Sequence, residues 1–249
     1  MCGIVGYIGP KQAAPLLLEA LEKLEYRGYD SAGLAILGGN GLSVCKAKGR
    51  LSVLFDRTEG GATMPGTAGI GHTRWATHGE PSDVNSHPHL SHSGRVAVVH
   101  NGIVENYAEL REFLTEHGYE FQSDTDTEIV AQLVDYYYHG DPVKAVRDAE
   151  SLLIGSYALG IAFAEHPDLL IAVRKDSPLI LGLGEGENFI ASDIPALLKH
   201  TREIMRLDER ELAVLTRTGV SVYDRFGDPV EKAPELVRRA GEMVPWGRL

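Results

Sequence analysis

Cysteine is almost absent: Cys2 and Cys45 are the only two in 249 residues. A disulfide-stapled scaffold is therefore excluded. Long apolar runs are missing as well. The longest, Leu152 to Ala164, holds about 13 residues and is interrupted by Gly155, Ser156 and Gly160, well short of the ~18 that a membrane span requires. No basic segment followed by an apolar one opens the chain, so no signal peptide is expected and the chain reads as cytoplasmic. Positive charge is in short supply. Lys and Arg total 24 against 35 Asp and Glu, a net charge of -11. A polyanion is repelled by such a surface, so nucleic acid is not an expected partner. The short basic clusters, Lys46 to Arg50 and Arg238–Arg239, read as solvated faces. Internal repeats, low-complexity tracts and long linkers are all lacking. What remains is 43% hydrophobic and 24% charged, the mixture of a globular protein. The length suits one large domain.

Helical spacing appears in few places. Lys11 to Leu24 carries Leu17, Leu21 and Leu24 after the breaker Gly9-Pro10. Glu105 to His117 places Tyr107, Leu110 and Leu114 on one face, with Asn106 and Glu109 as a capping box. Asp126 to His139 carries Ile129, Val130, Leu133, Val134 and Tyr137, with Thr125 and Glu128 as its box. A shorter helix runs from Val143 to about Leu153. Eleven short apolar or alternating segments read as strands, among them Gly3 to Ile8, Ala68 to Thr73, Val96 to His100 and Tyr157 to Ala164. From residue 155 onward strands follow one another through short turns. That favours antiparallel pairing, in two sheets covered by a few helices.

Four features carry chemistry. Removal of Met1 would make Cys2 the N-terminal residue, with a free α-amine beside its own thiol. An α-amine titrates near pH 7.7–8.0 and can act as general base for an adjacent nucleophile. Taken alone, a Met-Cys start is more often incidental. Second, the run Gly71 to Gly79 delivers Arg74, Trp75, Thr77 and His78 from a strand end into a polar loop. Arg74 suits a bidentate carboxylate contact, Thr77 and His78 add donors, and Trp75 can cover a ligand; a surface loop with a half-buried Trp is the alternative. Third, Val98 to Gly102 brings Asn101-Gly102 to a strand end. The pair is first a turn dipeptide; its amide and backbone N–H groups also suit an oxyanion hole. Fourth, Asp126 sits in an acidic helix start, favourable to the helix dipole and available to a ligand ammonium.

Two patterns are set aside. His87, His89, His92 and His100 match no zinc spacing, and His-Pro-His is expected to hold its rings apart, so no metal site is expected. Gly182, Gly184 and Gly186 lack the spacing of a phosphate loop and read as a hairpin turn.

Together these features resemble one family. Met1-Cys2-Gly3-Ile4-Val5-Gly6 is similar to the start of class II glutamine amidotransferases, which are N-terminal-nucleophile hydrolases. Leu24 to Gly33, His72 to Glu80, Val99 to Asn106 and Ser123 to Glu128 resemble more narrowly the glutaminase domain of the glutamine–fructose-6-phosphate aminotransferases, the glucosamine-6-phosphate synthases. Amidophosphoribosyltransferases are expected to read Arg-Gly-Gln-Asp where this chain has Arg27-Gly28-Tyr29-Asp30. The likeness covers about residues 1–225. It implies an α+β fold, a four-layer α/β/β/α sandwich of two antiparallel sheets. It implies hydrolysis of L-glutamine to L-glutamate and ammonia through a thioester on Cys2, with no cofactor. Asn101 and Gly102 would hold the oxyanion. Arg74, aided by Thr77 and His78, would clamp the glutamine carboxylate, and Asp126 its ammonium. Trp75 would belong to the loop that closes over glutamine. Arg27 would lie near the nucleophile and support the loop and Asn101, and His87 would be structural or lid-related. The amidotransferase domain is expected over 1–232, with a tail at 233–249 that carries no recognisable motif. The acceptor's sugar-isomerase domain is absent from this chain and enters as an expected partner. Two alternatives stay open: an amidotransferase subunit serving another acceptor such as phosphoribosyl pyrophosphate, and a non-catalytic glutamine-binding regulator.

Overall fold

The computed structural model describes residues 2–75 and 79–238. In chain order the elements are β1 (Gly3–Ile8), α1 (Ala13–Glu22), β2 (Ser31–Gly38), β3 (Gly41–Lys48), α2 (Leu51–Arg57), β4 (Ala68–Arg74), β5 (His89–Leu90) and β6 (Val96–Val104). Then come α3 (Tyr107–Glu116), α4 (Asp126–Tyr137), α5 (Pro142–Leu152), β7 (Gly155–Phe163), β8 (Leu170–Lys175), β9 (Ile180–Gly184) and β10 (Glu187–Ala191). The last strands are β11 (Glu203–Arg206), β12 (Leu212–Leu215), β13 (Val220–Tyr223), β14 (Pro229–Val230) and β15 (Glu235–Leu236).

Two sheets form, with orders β15-β11-β9-β10-β1-β4-β2-β3 and β14-β13-β12-β8-β7-β6-β5. Every neighbouring pair of named strands is antiparallel. Three hydrophobic layers show how they stack. Side chains alternate along a strand, and here both faces are apolar. Val5 and Tyr7 of β1 pack with Leu17 and Leu21 of α1, while Ile4 and Ile8 point the other way. In β6, Val96 and Val98 join Ile129 and Leu133 of α4, while Ala97 and Val99 meet Ile4 and Ile70. The middle layer joins sheet to sheet and the outer two join sheet to helix. This is the expected α/β/β/α sandwich. It also explains why the strands read as continuous apolar runs: they are buried on both sides.

Several local expectations change. Neither capping box forms. Asn106 instead donates to Leu152 O and accepts from Ile154 N, tying α3 to the end of α5. Glu128 accepts from Gln122 N, Ser123 N and Ser123 Oγ, so it organises the preceding loop. Helix α2 has no counterpart in the sequence reading, because seven residues with only Leu51 and Leu54 buried are too few to show a period. Asn101-Gly102 is no turn: both residues stay in β6, opposite Ala158 and Tyr157 of β7. After residue 232, Glu235–Leu236 pairs with β11 and Val237 is buried in the first core. No described helix is long and apolar enough to cross a membrane.

Candidate active site

One rim of the first sheet gathers chain segments far apart in sequence. Gly3 pairs with Thr73, which sets Cys2 beside Arg74, the last residue of β4. Ser31 pairs with the same Arg74, and Asp30 N donates to Arg74 O at 3.1 Å. Across the sandwich, β6 presents Asn101 and Gly102. The amide Nδ2 of Asn101 donates to the backbone carbonyl of Cys2 at 3.0 Å. Arg27 Nε donates to that same carbonyl at 3.2 Å, and its Nη1 forms an ion pair with Asp193 at 2.7 Å. Tyr26 OH donates to the same Asp193 oxygen at 2.6 Å. Residue 2 is thus held through its backbone, which leaves the thiol to other contacts.

The thiol lies 3.3 Å from the backbone N–H of Trp75, which donates to it. Burial pushes the Cys2 thiol up, while the Trp75 N–H and the nearby Arg74 charge pull the other way. Arg74 is 4% exposed, and burial lowers its guanidinium against the favourable charges of Asp30, Cys2 and Asp126. Its Nη2 donates to Gly79 O at 3.3 Å. Asp126 opens α4, where the helix dipole favours a carboxylate, and accepts from Val104 N at 2.8 Å. The Trp75 ring is 47% exposed and packs edge-on against Tyr29 at 5.2 Å, on the outside of this rim. Thr77 and His78, named with Arg74 above, lie outside the described residues.

Gly102 has φ +132°, a region L side chains rarely adopt, and a Cβ there would sit 2.0 Å from Ser156 O. Gly102→Ala is therefore expected to destabilise the fold by about 2–4 kcal/mol. A urea unfolding midpoint unchanged from wild type would contradict this.

Beneath the rim lies a group of buried histidines. His72 donates from Nε2 to His100 O (3.1 Å) and Asn101 Oδ1 (3.0 Å). His87 stacks on His72 at 4.2 Å, and its Nδ1 accepts from His100 N at 3.4 Å. His89 meets Thr125 Oγ1 and His100 meets Thr127 Oγ1, both at 2.9 Å. The expectation that His87 and His89 stand apart is overturned: both rings are buried in the same layer and meet edge-on with centroids 5.1 Å apart. His92 is exposed and away from the group. Burial drives the His72 ring down to about 3, lowers His100, and holds His87 and His89 well below the usual imidazole range. Neutral rings packed on one another suit a structural support. Among the described residues no cluster of His, Cys, Asp and Glu is arranged to hold a metal ion. Sequence reading missed the parts played by His72 and Asp193. The first sits inside the Arg74 motif and looks like any buried strand residue. The second pairs with a residue 166 positions away, for which no local signal exists.

Comparison with known proteins places the chain in a family. Residues 56–227 match the glutamine amidotransferase domain family. The chain belongs to that family. It is 59% identical over 233 residues to the glutamine–fructose-6-phosphate aminotransferase (isomerizing) of Caldanaerobacter subterraneus subsp. tengcongensis, covering 94% of this chain and 38% of that one. The enzyme of the same name from Clostridium perfringens is 59% identical over 232 residues, covering 93% and 38%. The chain thus spans 38% of the length of these relatives and is homologous to one part of them. Among solved structures, the glutamine phosphoribosylpyrophosphate amidotransferase of B. subtilis with ADP and GMP superposes with a TM-score of 0.79 at 25% identity, covering 90% of this chain and 49% of that one. A class-II glutamine aminotransferase domain protein from Silicibacter pomeroyi shares the fold at TM-score 0.62 and 14% identity, covering 90% and 99%. The amidotransferase domain therefore has the N-terminal-nucleophile fold.

Proposed function

We propose that this domain hydrolyses L-glutamine to L-glutamate and ammonia, as the glutaminase part of a glutamine–fructose-6-phosphate aminotransferase. The observation that supports it most is the convergence of Cys2, Arg74, Asn101 and Asp126 on one rim, from four separate parts of the chain. After removal of Met1 the α-amine of Cys2 takes the thiol proton. The thiolate attacks the side-chain carboxamide carbon, and the carbonyl becomes an oxyanion. The Asn101 amide has one N–H on Cys2 O; its second N–H and the Gly102 N–H hold the oxyanion. The tetrahedral species collapses as the C–N bond breaks, and ammonia leaves with the proton held by the α-amine. Water then cleaves the γ-glutamyl thioester, releasing glutamate and restoring the thiol.

Arg74 and Asp126 clamp the α-carboxylate and α-ammonium, with Thr77 and His78 as further donors to the carboxylate. Trp75 covers the bound amino acid, Arg27 holds the Cys2 backbone, and His87 supports His72. Asparagine, one methylene shorter, leaves its carboxamide short of the thiol when clamped in this way. The ammonia acceptor, a sugar phosphate on an isomerase domain, lies in the part of the relatives beyond this chain. Glutamate release by protein lacking Met1, with asparagine as the control, tests the reading; no release above background would end it. Arg74→Leu is expected to raise KM for glutamine about 10²–10³-fold, the cost of leaving a carboxylate without its buried partner. Steady-state kinetics check this, and an unchanged KM would remove Arg74 from the clamp.

A further inference from the structure

We propose that His72 is a positioning residue for the oxyanion donor: its Nε2–H holds the Asn101 side-chain carbonyl and so turns the amide N–H groups towards residue 2. This rests on the reading of Cys2 as nucleophile and Asn101 as oxyanion donor. Nothing in the proposed chemistry otherwise uses His72, which is fully buried.

The orientation of Asn101 is decided from both ends. On one side is Cys2 O at 3.0 Å, a backbone carbonyl that only accepts. The group facing it must be the amide N–H₂. On the other side is His72 Nε2 at 3.0 Å, which also lies 3.1 Å from His100 O, a second obligate acceptor. A ring nitrogen within hydrogen-bond distance of the His100 carbonyl must carry the proton, so the Asn101 group facing that same nitrogen must be its carbonyl. Reversing the amide would set donor against donor and acceptor against acceptor, losing both bonds. The ring itself is immobilised by stacking on His87 at 4.2 Å, with planes inclined by 21°. Its Nδ1 has no hydrogen-bond partner among the described residues, so a second proton would sit there unsatisfied. The ring therefore stays neutral with its one proton on Nε2. The neighbouring cation Arg74 reinforces this, since it adds to the cost of charging the ring. His100 directly precedes Asn101 and joins the line through its backbone carbonyl, while its ring turns away onto Thr127. Gly33 allows the arrangement to pack: a Cβ there would lie 2.2 Å from His87 O.

Four proteins lacking Met1 test the proposal: His72→Leu, His72→Gln, Asn101→Ala and the double variant His72→Leu/Asn101→Ala. His72→Leu is expected to lower kcat roughly 10²-fold, the scale of one oxyanion donor, with KM for glutamine within about threefold of wild type. His72→Gln, which keeps an N–H donor, restores most of the loss. In the Asn101→Ala background, His72→Leu costs less than about threefold, because the group it positions is gone. Alkylation of Cys2 by iodoacetamide forms no oxyanion and stays within about twofold in His72→Leu. A loss from His72→Leu that is as large without Asn101 as with it would overturn the proposal, as would a raised KM with unchanged kcat. If His72→Leu fails to fold, nitrogen NMR of the wild-type ring decides: the proton is expected on Nε2 from pH 8 to 5, and the Nδ1–H tautomer would overturn the proposal. A wild-type protein inactive on glutamine would defeat the proposed function. An active one whose kcat ignores His72 defeats only this inference.

Discussion

Cys2→Ala is expected to lower glutamate release from glutamine on the order of 10⁵-fold, the scale seen when a covalent nucleophile is removed. The argument begins with the thiol. It is partly buried and its titration is pushed up, so little thiolate exists at neutral pH without a base. The Trp75 N–H at 3.3 Å and the Arg74 charge favour the anion without supplying a proton acceptor. The α-amine of residue 2 is the base proposed for that task. A chain that keeps Met1 carries a peptide nitrogen there, which has no basic lone pair. Such a chain is expected to be as inactive as Cys2→Ala. Across pH, the rate should rise with the deprotonation of an α-amine near 7.7–8.0. Mass spectrometry of the N-terminus beside a glutamate-release assay checks both statements. Activity of Cys2→Ala within tenfold of wild type would remove Cys2 from the mechanism and leave the regulatory, glutamine-binding alternative.

Acid is expected to unfold this domain unusually early. His72, His87, His89 and His100 are all buried and all held below the imidazole range, with His72 near 3. Burial is the main cause. Arg74 adds to it at His72, His87 and His89, Lys46 adds at His89, and Asp126 opposes it at His100. The sign follows from proton binding. In the unfolded chain these rings titrate near 6.5, while in the folded one they stay neutral. Above pH 6.5 both states are neutral and the full stability is present. As pH falls through 6.5 towards the folded values, the unfolded state takes up protons that the folded state refuses. Each ring that stays neutral then removes up to about 1.4 kcal/mol per pH unit. Against a typical total of about 5–15 kcal/mol, several such rings are expected to remove a large share of the stability below pH 6.5. Carboxylates act only nearer pH 4, so the loss between pH 6.5 and 5.5 belongs to the histidines. Urea titrations at pH 7.5, 6.5 and 5.5 measure it. Equal unfolding free energies at the three values would show that the rings protonate in place.

The two smallest signals in the sequence had the largest consequences. Cys2 reads as one thiol in a cysteine-poor chain, and Asn101-Gly102 as a turn. Cys2 stands just before β1 and Asn101-Gly102 lies in β6, and they meet because β1 pairs with β4 and the second sheet lies over the first. Motifs were legible where the proposed site draws on a run of neighbouring residues, as in Gly71 to Gly79 and Ser123 to Glu128. The capping boxes failed for a physical reason: the polar side chains of Asn106, Thr125 and Glu128 found better partners in the tertiary structure than the helix ends nearby.

By itself the sequence determined the class of the molecule. Few cysteines, no long apolar run and a negative balance left a globular α+β chain. Runs of apolar residues set the positions of most strands, because a strand buried on both faces must be apolar throughout. Only the tertiary structure decided what those strands carry to their ends. The partners of the site lie from 25 to 99 residues apart along the chain for the contacts on the Cys2 carbonyl alone. Hydrogen bonds and burial act through space over a few ångströms, and spacing along a chain does not encode them. The group of neutral histidines beneath Cys2 and Asn101 exists on the same terms. Each ring was visible as a letter, and its stacking, tautomer and lowered proton affinity came from the close packing of two sheets around it.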